Sequence, residues 1–162
     1  LAGEEIHMDR WKQVLAQLYW EGRMERIGAH ITVDGAHNPG AMQAFVESVK
    51  ALDESERGEM ILLFSAVSDK KYDEVIEYLC GNLDVKAYIV TQIEDERGVP
   101  VEELADIFRR YTDRPVYCKE RLEDAVRTAL DKRGESGEIY CLGSLYLVGM
   151  IKKLLAGGAI DA

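Results

Sequence analysis

The sequence predicts an α/β fold, in which a doubly wound parallel sheet carries helices on both faces. Short apolar runs alternate five times with stretches whose apolar residues recur at helical spacing. Runs such as Met60–Phe64 are apolar at every position, which is typical of strands covered on both faces, as in parallel sheets. Because the connections are short and crossovers are right-handed, these elements build a doubly wound sheet.

The first helical stretch, over residues 8–19, precedes the sheet and ends at a break around Trp20–Arg23. Five strands are then predicted where the short apolar runs occur. They are His30–Val33, Met60–Phe64, Val85–Val90, Pro115–Cys118 and Glu138–Leu142.

A helix follows each strand, and two of these helices have clear start signals. Asn38 and Pro39 fit a cap and a first helical residue, and the apolar spacing continues to Leu52. Pro100 opens another helix in the same way. The predicted helices are 38–52, 71–81, 100–111, 122–130 and 143–155.

The composition bounds the size of the fold and the kind of partner. A chain of 162 residues fits one domain and can bury roughly two thirds of its unfolded surface without a disulfide or a metal. Its 20 basic and 30 acidic residues give a net charge of −10, which argues against nucleic acid or an anionic membrane as the main partner. No apolar run approaches the roughly 20 residues of a membrane span, and no signal peptide is visible.

The three cysteines, Cys80, Cys118 and Cys141, lie apart in apolar segments, and no CxxC pair occurs. An odd number of scattered cysteines is a poor disulfide framework. We therefore expect reduced cysteines in the core, which suits a cytoplasmic protein.

Parallel strands bring their carboxyl ends to one edge of the sheet, where open α/β folds bind ligands. The loops predicted at that edge are 34–38, 65–70, 91–98, 118–120 and 143–144. In the first loop, Asp34 could accept from ribose hydroxyls and His37 could donate to a phosphate or a carboxylate. The alternative is local, with Asp34 bracing the turn and Asn38 capping the next helix.

Other positions offer groups for an anion, each with a plainer alternative. Lys70 and Lys71 stand just before a helix, where the dipole disfavours cations unless an anion binds beside them; otherwise they are solvated lysines. Ser144, after Gly143, can hold a carboxylate or phosphate with the helix amides, or only cap the helix. Arg23 could contact a phosphate bidentately or lie on the surface.

Several nucleotide and metal motifs are missing from the sequence. It has no GxxxxGK[ST] loop, no GxGxxG, and no His/Cys/carboxylate cluster at zinc spacing. Ser144 does not sit in a GxSxG elbow, which argues against a nucleophile. The edge therefore carries parts of an anion and nucleotide site without the phosphate cradle.

Four short motifs occur in an order that resembles a known family. They are Trp20-x-Gly22-Arg23, Asp34-Gly35-Ala36-His37-Asn38-Pro39, Asp69-Lys70 and Gly143-Ser144-Leu145-Tyr146. The set, spread over about residues 20–155, resembles the C-terminal domain of folylpolyglutamate synthases, often also dihydrofolate synthases, in the superfamily of the muramyl-peptide (Mur) ligases. The resemblance implies a Rossmann-like α/β domain whose sheet is mainly parallel, with one antiparallel edge strand.

The resemblance also implies a longer enzyme. Residues 1–20 look like a linker and the terminal helix of a preceding ATPase domain, and residues 21–162 look like the Mur ligase-type C-terminal domain. The P-loop, the Mg²⁺ ligands and most of the folate site are then expected on the preceding domain, with no metal site on this one. We expect this domain to be inactive alone, and the full-length enzyme to be monomeric and cytoplasmic.

The reaction implied by the resemblance is an ATP-dependent amide ligation in folate biosynthesis and one-carbon metabolism. ATP phosphorylates the γ-carboxylate of the glutamyl tail of tetrahydrofolate or its polyglutamates. The α-amine of L-glutamate then attacks the acyl phosphate, and phosphate leaves. The C-terminal domain would close over this intermediate and exclude water.

Residue roles follow from the same resemblance. Arg23 resembles a catalytic arginine that reaches the ATP phosphates, and Asp34 resembles the acid that holds the ribose. His37 resembles a catalytic histidine near the incoming glutamate and the transferred phosphate. Lys70 and Ser144 resemble groups that bind carboxylates of the added glutamate.

Two alternatives remain open. The first is the C-terminal domain of a muramyl-peptide ligase, although the DGAHNP and GSLY strings favour the folate enzymes. The second is a non-catalytic nucleotide or amino-acid binding module, which would bind its ligand tightly as an isolated chain.

Overall fold

The computed structural model describes residues 22–53, 58–68, 71–158 and 160. In these stretches the strands are β1 Glu25–Arg26, β2 Ile31–Val33, β3 Met60–Phe64, β4 Ala87–Thr91, β5 Val116–Lys119 and β6 Glu138–Leu142. The helices are α1 Pro39–Lys50, α2 Tyr72–Asn82, α3 Val101–Tyr111, α4 Leu122–Arg133 and α5 Leu145–Ala156. The predicted helix over residues 8–19 lies outside the described residues.

The six strands form one sheet in the order β1-β2-β6-β3-β4-β5. Every pairing is parallel except that of β1 with β2, so the predicted mainly parallel sheet with an antiparallel edge strand is confirmed. From β2 the chain proceeds through β3 and β4 to β5 at the edge of the sheet, and it then returns to place the last strand, β6, between β2 and β3. The carboxyl ends of β2, β6 and β3 therefore stand side by side.

Helices cover both faces of the sheet, which confirms the doubly wound arrangement. Helices α1, α2 and α3 enclose one core, and α4 and α5 enclose the other. Strand β3 shows why the central strands are apolar throughout, because Leu62 and Phe64 enter the first core while Ile61 and Leu63 enter the second.

Local signals set the start and end of α1. The side chain of Asn38 accepts the N–H of Ala41 at 3.0 Å, and Pro39 occupies the first helical position, as predicted. The helix ends at Lys50 rather than at the predicted Leu52. The reason is a turn in which the N–H of Leu52 bonds the carbonyl of Val49.

Strand β1 is the main element that the apolar pattern does not predict. It has two residues, and its buried side chain is charged: Glu25 is 4% exposed. The Glu25 carboxylate accepts the N–H of Gly22 at 2.7 Å and lies 2.9 Å from Nζ of Lys152 on α5. This strand is therefore anchored by side-chain bonds as well as by its pairing with β2.

Smaller differences from the predictions concern strand starts and cysteine burial. Strand β4 begins at Ala87 rather than at Val85, and β5 runs one residue later than predicted. Cys80, Cys118 and Cys141 are all free, but only Cys141 is fully buried.

None of the helices in the described ranges has the length and apolar content that a membrane crossing requires.

The turn from β6 into α5 depends on Gly143. Its backbone has φ +107°, a region that side chains disfavour, and its N–H donates to the carbonyl of Ala36 at 2.9 Å. A Cβ at this position would lie 2.7 Å from a ring carbon of Phe64 and would overlap the carbonyl oxygen of Ser65. Only glycine therefore lets the chain pass between the loops that follow β2 and β3.

We expect Gly143→Ala to lower the free energy of unfolding by about 2–4 kcal/mol, because it adds backbone strain and overpacking at one point. Urea unfolding followed by circular dichroism measures this change. The matched control is Gly149→Ala in α5, where an added Cβ meets nothing within 4 Å and should stabilise the helix by about 0.5–1 kcal/mol. Equal stability of the two variants would contradict the close packing at Gly143.

Candidate functional site

The loops that follow β2, β6 and β3 are joined by backbone hydrogen bonds. The N–H of Gly143 donates to Ala36 in the first loop, and the N–H of Ser65 donates to the carbonyl of Leu142 at 3.3 Å. Because the bonds are between main-chain atoms, they hold the three loops in a fixed arrangement. This edge of the sheet is a preformed surface on which side chains can be positioned.

The carboxylate of Asp34 clamps the first loop to the turn before β1. Its Oδ1 accepts the N–H of Ala36 at 2.8 Å, and its Oδ2 accepts the N–H of Met24 at 2.9 Å. The N–H of Gly35 adds a bond to the carbonyl of Gly22 at 2.6 Å. Asp34 is 4% exposed, so it braces the turn, as one of the two alternatives requires; its contact with a ribose stays a prediction.

The same clamp brings Arg23 beside Asp34. Nη1 of Arg23 lies 3.8 Å from Oδ1 of Asp34, and the arginine side chain remains half-exposed. Burial raises the pKa of the Asp34 carboxyl, and this effect exceeds the opposite effects of the two N–H donors and of Arg23. Two motifs that are separate in the sequence thus form one structural unit with an accessible guanidinium.

His37 is half-buried, and its tautomer is set by the loop. Its Nδ1 lies 2.7 Å from the carbonyl oxygen of Gly35. A carbonyl only accepts, so Nδ1 carries the proton and Nε2 of the neutral ring is an acceptor. Nε2 makes no hydrogen bond to the described residues, and it is therefore available to a ligand.

Ser144 caps α5, as the plainer alternative predicts. Its Oγ accepts the N–H of Tyr146 at 3.1 Å, and the residue is 2% exposed. Because Oγ acts as the acceptor in this bond, its own proton is still free to be donated. The first turn of α5 contains no acidic residue, so its amides and the hydroxyl suit a carboxylate or a phosphate.

Leu145 contacts the two glycine-containing turns. Gly35 has no room for a Cβ, which would lie 2.9 Å from Cγ of Leu145 and closer still to Cδ2, and Cδ2 also lies over Gly22. Leu145 is nevertheless 58% exposed, and its neighbour Tyr146 is 50% exposed. The structure thus brings together the motifs around Arg23, Asp34 and Ser144.

The remaining motif, Asp69-Lys70, lies outside the described residues, so the role of Lys70 stays a prediction. Its neighbour Lys71 occupies the cap position of α2 without a side-chain capping bond. Nζ of Lys71 lies 2.9 Å from Glu74, and both side chains are exposed. Lys71 therefore fits the alternative of a solvated lysine.

Arg97 is a residue at this edge that the motifs do not single out. It lies in the loop after β4, and its Nη2 donates to the hydroxyl of Tyr146 at 2.6 Å. In the sequence it is one cation in the charged run 94–97, and only its place after a buried strand could have indicated a position at the edge.

The donor set at this edge fits anionic groups rather than a metal ion. Two arginines, a hydroxyl and the amides of a helix start are suited to phosphates and carboxylates. In the described ranges, no three His, Cys, Asp or Glu residues lie close enough together to hold a metal ion.

Comparison with known proteins identifies the family. Residues 22–145 match the family described as "Mur ligase, glutamate ligase domain". The chain is 29% identical over 136 residues to a probable bifunctional folylpolyglutamate synthase/dihydropteroate synthase of Halobacterium salinarum, covering 83% of this chain and 16% of that protein. It is 26% identical over 149 residues to the folylpolyglutamate synthase of Lacticaseibacillus casei, covering 91% of this chain and 32% of that protein.

Solved structures share the fold. E. coli FolC in complex with DHPP and ADP superposes with a TM-score of 0.76 at 18% identity, over 98% of this chain and 36% of FolC. Folylpolyglutamate synthase of Mycobacterium tuberculosis, complexed with ADP and AMPPCP, gives a TM-score of 0.73 at 23% identity, over 98% and 37%. The chain thus spans at most about a third of the curated relatives and little more of these structures. From the family match and the shared fold, we conclude that this chain belongs to the Mur ligase, glutamate ligase domain family.

Proposed function

We propose that this chain is the glutamate-adding domain of an ATP-dependent amide ligase of the folylpolyglutamate synthase type. The observation that carries the proposal is the meeting of Arg23, His37 and Ser144 at one edge, where Asp34 and Leu145 hold their loops together. The names of the two curated relatives support the folate substrate over a muramyl peptide.

The activity is proposed for a longer protein, since the chain covers only part of each relative. Residues 1–20 would connect a preceding ATPase domain to the domain at 21–162. ATP would activate the γ-carboxylate of a folate glutamyl tail as an acyl phosphate. A bifunctional relative from Yersinia pestis is complexed with AMPPNP and a Mn ion, and we propose Mg²⁺ held by the preceding domain here.

In this proposal Arg23 offsets charge on the phosphates. Its guanidinium is half-exposed and only loosely paired with Asp34, so several N–H donors remain for a phosphate. Asp34 fixes the turn that carries Arg23, and its remaining acceptor capacity would serve a ribose hydroxyl. The arginine is therefore held on a braced turn with its donors accessible.

His37 would act on the incoming amine. The α-amine of glutamate is protonated at neutral pH and must lose a proton before it can attack a carbonyl carbon. Nε2 of His37 is a free acceptor whose direction is fixed by the bond from Nδ1 to Gly35, so it can take that proton. Ser144 and the amides of α5 would hold the α-carboxylate nearby, and Lys70 would add a positive charge for a carboxylate of the same amino acid.

We expect His37→Ala in the full-length enzyme to lower kcat by about 100- to 10,000-fold, because a positioned general base is lost. Steady-state phosphate release measures this effect, and thermal unfolding checks that the fold is intact. His30→Ala is the matched control, since His30 lies at the opposite end of β2 and contacts Glu138. Unchanged turnover in His37→Ala would make this histidine a structural residue.

We expect Ser144→Ala to raise the KM for glutamate by about tenfold, because a hydroxyl bond to a carboxylate is lost. The loss of the cap should also lower the free energy of unfolding by about 1 kcal/mol. Asn38→Ala removes a comparable cap from α1 and should leave the KM for glutamate unchanged. An effect confined to the KM for ATP would refute the assignment of Ser144.

The isolated chain should bind ATP weakly and turn over no substrate, because the P-loop and the Mg²⁺ ligands are proposed for the preceding domain. Isothermal titration calorimetry of residues 1–162 with ATP measures this. A dissociation constant in the micromolar range would favour the stand-alone binding module instead.

A further inference from the structure

We propose that Arg97 and Tyr146 together bind the side-chain carboxylate of the incoming amino acid and so select an acidic substrate. The proposal rests on the proposed function, since it assigns a second contact to the amino acid that this domain would add. Neither residue is among those predicted to contact the substrate.

The backbone of Arg97 is fixed before any ligand binds. Its carbonyl accepts the N–H of Ser68 at 2.8 Å, and the next residue, Gly98, bridges to Val67. Asp95 accepts both the backbone N–H of Arg97 at 2.9 Å and its Nε at 3.1 Å. These bonds tie the loop after β4 to the loop after β3 and direct the guanidinium toward α5.

Tyr146 receives the guanidinium with both its hydroxyl and its ring. The hydroxyl accepts Nη2 at 2.6 Å, and the guanidinium carbon lies 5.3 Å from the ring centre. The bonds to Tyr146 and Asp95 raise the pKa of Arg97, so the guanidinium keeps its charge. The pair therefore spans the end of β3, from the loop after β4 to the start of α5.

Two donors of this pair remain unused within the described part of the chain. Because the phenolic oxygen of Tyr146 accepts the arginine N–H, its own proton is directed to another acceptor. Nη1 of Arg97 makes no hydrogen bond to the described residues either. An N–H donor and an O–H donor thus lie next to each other at an exposed edge, and a carboxylate has two oxygens to receive them.

The position of the pair favours the side-chain carboxylate over the α-carboxylate. The α-carboxylate shares a carbon with the reacting amine, so its binding group must be close to His37. Ser144 meets this condition, because the preceding Gly143 is bonded to Ala36, the neighbour of His37. The contact between Arg97 and Tyr146 lies at the far end of the tyrosine side chain, away from the helix start. An acidic amino acid whose α-carboxylate is bound at the helix start would extend its side-chain carboxylate toward this contact.

The test uses the full-length enzyme with Arg97→Gln, Arg97→Lys and Tyr146→Phe. For each variant the KM for glutamate, the KM for ATP, kcat and the preference for glutamate over glutamine are measured. Arg114→Gln is the matched control, because this exposed arginine lies in the turn before β5 and pairs with Asp84 in the turn before β4. Thermal unfolding of each variant checks the fold, and Tyr146→Phe changes a single hydroxyl.

We expect Arg97→Gln to raise the KM for glutamate by about 10- to 100-fold, as the loss of a charged hydrogen-bond partner does, and to lower the glutamate preference by a similar factor. The KM for ATP should change by less than about twofold, since the pair would not contact the nucleotide. Arg97→Lys should fall in between, because it keeps the charge but not the planar fork. Tyr146→Phe should have a smaller effect that is not additive with Arg97→Gln.

An unchanged preference for glutamate over glutamine, or equal changes in the KM values for ATP and glutamate, would overturn the proposal. The proposed function can fail separately. An enzyme that adds a different acidic amino acid refutes the assigned substrate, while a raised KM for that amino acid in Arg97→Gln still supports the role of the pair. An enzyme that adds a neutral amino acid refutes both.

Discussion

The Asp34 carboxylate is the interaction on which this edge of the domain depends. It bonds the N–H of Ala36 in its own loop and that of Met24 in the turn before β1, so a short side chain fixes two backbone segments at once. Met24 has φ +43°, the single positive value outside glycine in the described ranges. Holding a residue in that conformation costs on the order of 1 kcal/mol or more, which the N–H bonds to the Asp34 carboxylate offset. The accessible position of Arg23 is a result of this clamp.

The order of the strands determines which loops can cooperate. Because β6 is inserted between β2 and β3, the start of the last helix lies between two loops that come from the first half of the domain. Gly143 makes this insertion possible, since its backbone passes against both neighbours. Residues far apart in the chain, such as His37 and Ser144, therefore share one edge without any long loop. A site built in this way has little conformational freedom to lose when a ligand binds.

Local patterns in the sequence were sufficient for most of the fold. The apolar runs of the central strands and the Asn38-Pro39 start of α1 depend only on nearby residues, and both are confirmed. Strand β1 lacked such a pattern, because its two residues are held by Glu25 bonding Lys152 and Gly22 rather than by apolar burial.

The same distinction between local patterns and contacts of distant residues applies to the site. Ser144 and Asn38 were recognisable as caps from their place before a helix. The pairing of Arg97 with Tyr146 was not, because it depends on the register of separate strands and on the direction of a loop that no local signal sets. The role of Asp34 as a clamp was one of two alternatives, and choosing between them required the positions of Met24 and Ala36.

The contact between Gly35 and Leu145 places a steric constraint on two distant positions of the domain. The space that a side chain at position 35 would occupy is filled by Leu145, although the two positions are far apart in the chain. A side chain at position 35 thus requires Leu145 either to turn away from the glycine turns or to be replaced by a smaller residue. The sizes of residues 35 and 145 are therefore coupled, so the strain added by Gly35→Ala depends on which side chain stands at position 145.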